Sequence, residues 1–390
     1  MKTFTQFLKI ISFLILLSIS FSGWAQDDSQ PACGTVTSIK NLELYKELKP
    51  VFKKYETAFT NSKSNNTKTG FISKSYIPIK AHVIRNSNGK GGIEEYELEE
   101  AINDLNNSFS GAFLEFFLCN EINYINNSTF YNFKSSDEKE LVEANYTSSV
   151  INIYFTNRIV NASDEDICGY TYNKQNYDVI IIQNDCATNN SSLAHEVGHY
   201  FSLIHTHGAD NTNLTKELVN GNNCSSTGDE ICDTPADPKL SYKNVNNFCR
   251  YIGTEKDANG DLFEPDTENI MSYAFKGCRS HFSNQQLARM YAYYISEKNY
   301  LMCVDSSNIS ETNNSTDFNI YPNPILGDVV YAKAINTTEI FTYEISNLIG
   351  QVFSQGTLTS QPIHVDHLAS GTYLITIKNN HSKTIKRIIK

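Results

Sequence analysis

The chain has 390 residues, 40% of them hydrophobic and 19% charged, with a formal net charge of −11. That length has room for two or three folded units at roughly 150 residues each, and the negative balance removes any electrostatic case for a nucleic-acid partner. Outside the extreme N-terminus no apolar run reaches the roughly 18 residues of a spanning helix, so the mature protein is expected to have no transmembrane helix.

Residues 1–25 read as an export signal. Lys2 and Lys9 open it, residues 10–21 are largely apolar, and Gly23 and Ala25 place small residues ahead of a cut after Ala25. A membrane anchor would need a longer run. Export into an oxidising space predicts paired cysteines, but the chain has nine, so one thiol is left over.

Residues 26–75 are polar around one amphipathic stretch, residues 42–59, in which Leu42, Leu44, Tyr45, Leu48, Val51 and Phe52 recur at helical spacing. This predicts a leader built on one helix. From Tyr76 the pattern changes. Residues 77–84 alternate as a strand, residues 86–92 are a turn cluster, and residues 93–109 carry Leu98, Ala101, Ile102, Leu105 and Phe109 at helical intervals. Residues 114–118, 151–155 and 179–182 read as further strands. Strands interleaved with helices predict an α/β catalytic domain over residues 76–304, a mixed twisted sheet packed on helices. Residues 305–317 are nearly free of apolar side chains and read as a linker. Residues 318–390 hold short strand-like runs at 318–321, 329–332, 341–345, 363–365 and 372–377 between turn residues, which predicts a small all-β sandwich.

The chemistry concentrates in residues 191–207. His195 and His199 stand four apart, about 40° around a helix and about 6 Å along it, so both imidazoles project from one face toward a shared ion. Glu196 between them completes H-E-x-x-H, in which neutral imidazoles suit Zn2+ and the carboxylate takes a proton from water as general base. His205 is the next candidate ligand. On a continuing helix it would lie about 9 Å further along and about 120° off the shared face, so the helix must turn first. Ser202 stands where the zincin pattern has glycine, and a serine in the left-handed region costs roughly 1–2 kcal/mol. His207 is the fallback ligand. A set of surface histidines near a turn is the plain alternative, and it leaves Glu196 unexplained.

Downstream, residues 269–273 read Asn-Ile-Met-Ser-Tyr. Taken with the three histidines, Met271 resembles the Met-turn of the metzincin clan. The resemblance narrows to the pappalysin-like peptidases through Ile77, Pro78, His82, Val83 and Ile84, residues 151–154, His195 to His199 as H-E-V-G-H, residues 228–235 as G-D-E-I-C-D-T-P, and Cys278 followed by Phe282, Gln286 and Arg289. It covers residues 76–303. It implies a metzincin fold, zinc on His195, His199 and His205, Glu196 as general base to a zinc-activated water, Met271 beneath the metal, and Tyr273 as donor to the developing oxyanion. It also implies a calcium ion aided by Asp229, Asp233 and Thr234, oxygen donors of the kind a hard cation prefers. A disulfide between Cys249 and Cys278 follows from the same resemblance. Cys33, within Pro31-Ala32-Cys33-Gly34, resembles the cysteine switch of metzincin propeptides, a thiolate that holds the zinc inactive. The rival assignment pairs Cys33 with a core cysteine and leaves another, such as Cys232, free.

The last unit resembles the sorting domain of the bacterial type IX secretion system. Residues 318–324 at its start, Leu368, Ala369, Ser370, Gly371, Thr372 and Tyr373 later, and a basic end at residues 383–390 carry that likeness. It implies the type IX machinery as partner and a final place at the cell surface or in the medium. The whole reads as a secreted zinc endopeptidase made as a zymogen, acting on peptides or proteins. Two alternatives stay open: a zincin fold that only binds, and a gluzincin whose third ligand is a downstream glutamate such as Glu217.

Overall fold

The structure is a computed structural model that describes residues 32–35, 37, 39–64, 74–172, 177–303 and, apart from short gaps, 318–390. The export signal at residues 1–25 and the linker at residues 305–317 lie outside the described residues. No helix among the described residues is long and apolar enough to cross a membrane.

The leader contributes two elements, strand β1 (Ala32–Cys33) and helix α1 (Ile39–Ser64). The helix is longer at both ends than residues 42–59. It turns Phe52 and Phe59, each 1% exposed, onto the body of the protein. There Phe59 meets Phe113 and Tyr291, and Phe52 meets Tyr293, with ring centroids 5.4–5.9 Å apart.

The body begins with β2 (Ser75–Arg85), followed by α2 (Glu95–Phe109), β3 (Leu114–Leu118), β4 (Asn123–Asn126), β5 (Asn132–Lys134) and α3 (Glu138–Asn145). Then come β6 (Ile151–Thr156), β7 (Arg158–Val160), β8 (Ile167–Tyr172) and β9 (Val179–Gln183). The main sheet runs β1-β8-β9-β6-β2-β3, with β4 also on β2. It is parallel except where β8 meets β9. Pro78 is tolerated inside β2 because pairing with β6 begins only at Ile79, so the missing N–H removes no ladder bond there.

Both faces of the sheet are covered, as mainly parallel sheets require. Ile151, Ile153 and Phe155 of β6 point into the cluster that α2 fills with Leu98, Ile102 and Leu105. Tyr154 points to the other side, against Phe130, Phe133, Leu141 and Val142. Helix α4 (Ser192–Tyr200) lies on the α2 side and is buried along its whole length. Residues beyond it, up to α5 (Asn284–Tyr293), form few regular elements and are tied by the disulfides Cys224–Cys232 and Cys249–Cys278. Cys168–Cys186 closes the β8–β9 region, and Cys119–Cys303 links the end of β3 to the end of this body. Cys33 is the free cysteine and Cys232 is bonded.

The C-terminal unit packs a three-stranded sheet against a four-stranded one. Two of its strands, Val352–Thr357 and Lys383–Ile389, fall outside the runs expected from sequence. The basic end is the second of these. Its apolar residues, Ile385, Ile388 and Ile389, do not alternate with its cations, Lys383, Lys386 and Arg387, so no period of two is visible.

Candidate active site

Helix α4 delivers His195 and His199 on one face, and the chain stops being helical after Tyr200. Ser202 takes φ 73°, the left-handed turn that the reach of His205 required. The Leu203 N–H bonds back to the Gly198 carbonyl at 3.0 Å. The turn swings His205 under the helix, with its Nε2 3.0 Å from that of His199, which in turn stands 3.1 Å from that of His195.

The contact between His195 and His199 is not a hydrogen bond. His195 Nδ1 donates to the Ile270 carbonyl at 2.6 Å and His199 Nδ1 to the Leu203 carbonyl at 2.8 Å, so a neutral ring has no proton left on Nε2. Burial keeps all three imidazoles below their ordinary pKa, His199 at about 4. The bare lone pairs of His195 and His199 therefore face one another at 3.1 Å, which is unfavourable without a cation between them. Cys33 Sγ joins the group 3.6 Å from His199 Nε2, and the four donor atoms lie within 4.8 Å of one another. That donor set fits zinc. Among the described residues no other cluster of His, Cys, Asp and Glu meets this test.

His207 and Glu217 are not in the cluster. His207 stacks on His205, rings 5.3 Å apart, and binds Asn211 through Nε2. Met271 is fully buried beneath α4, and a side chain on Gly198 would start 2.6 Å from its Sδ. Tyr273 packs its ring 4.4 Å from His205, and burial raises its phenol pKa.

Glu196 is 1% exposed. Burial pushes it up to about 7, against hydrogen bonds from Thr35 and Cys33 and the charge of Arg279 that pull it down. The leader reaches it directly, since Thr35 Oγ1 donates to Glu196 Oε2 at 2.8 Å and accepts from the Thr171 N–H at 2.9 Å. Gly34 leaves no room for a side chain, because a Cβ would lie 2.3 Å from Ile167. Thr35, Thr171 and Arg279 were missed in the sequence. Thr35 carries one weak signal, its place two residues after Cys33; the other two carry none.

The acidic segment is split. Asp233 accepts from Ser283 Oγ at 2.6 Å and from the Gln285 N–H at 2.9 Å, so both oxygens hold the start of α5. Thr234 donates to Asp229 Oδ1 at 2.9 Å. Asp229 Oδ2 and Glu217 Oε2 are buried without a hydrogen-bond partner, and burial pushes each carboxyl up to about 8.

Parts of the chain are similar to known proteins. Residues 159–294 match the family model described as pregnancy-associated plasma protein-A, a peptidase family, and residues 319–390 match the secretion system C-terminal sorting domain. An extracellular metalloprotease of Arthroderma benhamiae is 26% identical over 258 residues, 60% of this chain and 76% of that one. Another from Colletotrichum graminicola is 25% identical over 241 residues, 56% of this chain and 76% of that one. A solved promirolysin mutant from Tannerella forsythia is 21% identical, with a TM-score of 0.45 over 67% of this chain and 93% of that one. The chain is a zinc metalloendopeptidase, secreted or at the cell surface, that is similar to the pappalysin-like peptidases over residues 159–294 and to a secretion sorting domain over residues 319–390.

Proposed function

We propose that the described chain is the latent form of this peptidase, with zinc on His195, His199 and His205, Glu196 as general base, and Cys33 of the leader on the remaining ligand position. One observation carries the reading: three imidazole nitrogens and a leader thiol gather within 4.8 Å of one another, two of the nitrogens with their lone pairs bare. Zinc held there supplies Lewis acidity, which lowers the pKa of water and draws charge from a peptide carbonyl. The chain's own residues do the rest. Glu196, once released by Thr35, has a carboxylate oxygen free to take a proton from water and return it to the leaving amine. Tyr273, kept protonated by burial, is suited to donate to charge developing on the carbonyl oxygen. The edge of β8, now paired with β1, offers its backbone to an extended peptide when the leader departs. The leader thus covers metal, base and edge together.

The test compares peptide cleavage and zinc content in the full chain, Cys33→Ala, and Cys33→Ala with Glu196→Ala. Cleavage should appear weakly in Cys33→Ala with the leader in place, where Thr35 and β1 still cover base and edge, rise further when the leader is cut away, and fall by at least about a hundredfold when Glu196 is also lost, with zinc retained. Equal silence of the full chain and Cys33→Ala, both zinc-loaded, removes the switch from the reading.

Calcium belongs in the proposal at Asp229, whose unpartnered buried oxygen favours a cation. Asp233 drops out, being occupied in capping α5. An unfolding midpoint that does not move between calcium and a calcium-selective chelator removes the ion.

A further inference from the structure

One charge at the site takes no part in this chemistry. Arg279 lies on the segment after Met271 and is 8% exposed. Its Nη2 donates to Ser191 Oγ and Ser192 Oγ, both at 3.1 Å, at the start of α4. Its Nη1 is 3.5 Å from the Ser272 carbonyl and 3.3 Å from His195 Nδ1. The second contact is no hydrogen bond, since the Nδ1 proton is already given to Ile270. The Nε–H has no partner.

The surroundings make this cation harder to explain as a structural piece. It stands at the positive end of a helix and against a residue of the metal cluster. Lys276, whose carbonyl accepts from Ser191 Oγ at 3.0 Å, adds a second positive charge to the same segment. Among the described residues no carboxylate forms an ion pair with Arg279. The groups that favour its charge are Cys33, Glu196 and Tyr273, burial holds the Cys33 thiol and the Tyr273 phenol protonated, and Glu196 already accepts from Thr35. Three oxygen contacts and an idle Nε leave a buried guanidinium short of an anion, beside the ring of His195 in the metal cluster.

We infer that Arg279 determines specificity by receiving a carboxylate of the bound peptide, so that the enzyme selects an acidic residue, or a free C-terminus, beside the scissile bond. The inference rests on the peptidase reading above. A guanidinium donates two parallel hydrogen bonds to a carboxylate, which a neutral amide of the same shape cannot match.

The experiment uses the full chain carrying Cys33→Ala and a peptide series that differs only at the residues flanking the cut, with Glu, Gln, Leu or Lys, each as free acid and as amide. Glu peptides should exceed Gln peptides by about tenfold or more in kcat/KM. Arg279→Gln should bring that ratio to near one. The ratio is taken within each protein, so a general loss of activity cancels. Should Arg279→Gln fail to hold zinc, Arg279→Lys carries the test, with a Glu preference that is reduced but present. A preference for acids over amides at every flanking residue would assign the carboxylate to the C-terminus. A Glu-to-Gln ratio near one in the parent, or unchanged by substituting Arg279, overturns the inference alone. No cleavage of any peptide by zinc-loaded protein, with the leader in place or cut away, overturns the peptidase reading and takes this inference with it.

Discussion

Ser202→Gly tests how His205 reaches the metal cluster. Ser202 holds φ 73° at 3% exposure, and the left-handed conformation costs a residue with a Cβ roughly 1–2 kcal/mol. Its Oγ is buried without a partner, which adds roughly 1 kcal/mol of lost solvation. Glycine gives back roughly 0.4–1 kcal/mol by widening the unfolded ensemble. The balance is a stabilisation of about 1–2 kcal/mol. In a unit of this length each kcal/mol moves the midpoint by about 2–4 °C, so Tm should rise by about 2–8 °C. Urea unfolding of the metal-free protein reads the backbone effect alone, and zinc titration then reads whether the turn is better prepared for binding. A glycine variant equal to or less stable than the parent refutes the reasoning, and would mean that the serine side chain holds the turn rather than straining it.

Two other substitutions follow from contacts already described. Gly198→Ala should lower stability by roughly 1–3 kcal/mol and weaken zinc binding, because overpacking against the buried Met271 outweighs the roughly 1 kcal/mol alanine gains in a helix; urea unfolding and zinc titration both read it. His82 has its Nε2 proton committed to Asn152 Oδ1 at 3.0 Å and accepts at Nδ1 from Asn123 Nδ2 at 2.9 Å, and burial, aided by Lys80, holds its pKa at about 4. The unfolded chain therefore takes that proton more readily, so stability should fall as pH drops from about 6.5 to about 4, by roughly 3 kcal/mol in all. His82→Gln should flatten this part of the urea-stability profile; an unchanged slope would sink the assignment.

Local pattern made much of the fold legible. Val179–Gln183 is apolar up to Ile182, and Ile151–Thr156 is apolar on both faces but for Asn152 and Thr156, because both faces are covered, and the apolar period of α2 marks the face it buries. The turn at Ser202 was readable only by geometry, from the distance His205 had to cross. What sequence hides is pairing at long range. β1 is two residues long, and nothing in Ala32–Cys33 says that it lies along β8; that depends on Gly34 fitting against Ile167 and on Thr35 meeting Thr171. β8 contains Gly169 and Cys168, which blur its alternation. Cys119 and Cys303 are 184 residues apart, beyond any local rule. Arg279 looks like an ordinary surface charge until the fold packs it against α4.

On the zymogen reading, latency comes from linkage more than from any one contact. The inhibitory piece, residues 32–35, is too short to hold by itself: a strand of two residues, one hydroxyl bond to Glu196 and one thiol. Helix α1 supplies the anchor. Burying Phe52 and Phe59 contributes about 1.5–3 kcal/mol each, and Glu56 meets Arg289 at 2.5 Å and Lys49 meets Glu230 at 2.7 Å at its flanks. Tethered to that helix, Cys33 is held near the cluster at high effective concentration. The position of a cut should therefore matter more than the fact of one. A protease site inserted between Thr35 and Ile39 frees the short strand from its anchor, and peptide cleavage should rise as fast as the site is cut. The same site inserted between Ser64 and Ser75 leaves strand and anchor joined, so activity should lag behind cutting until α1 dissociates, and dilution should raise the active fraction reached at equilibrium. Equal and immediate activation from both positions would show that α1 adds nothing, and that the four residues over the active site inhibit unaided.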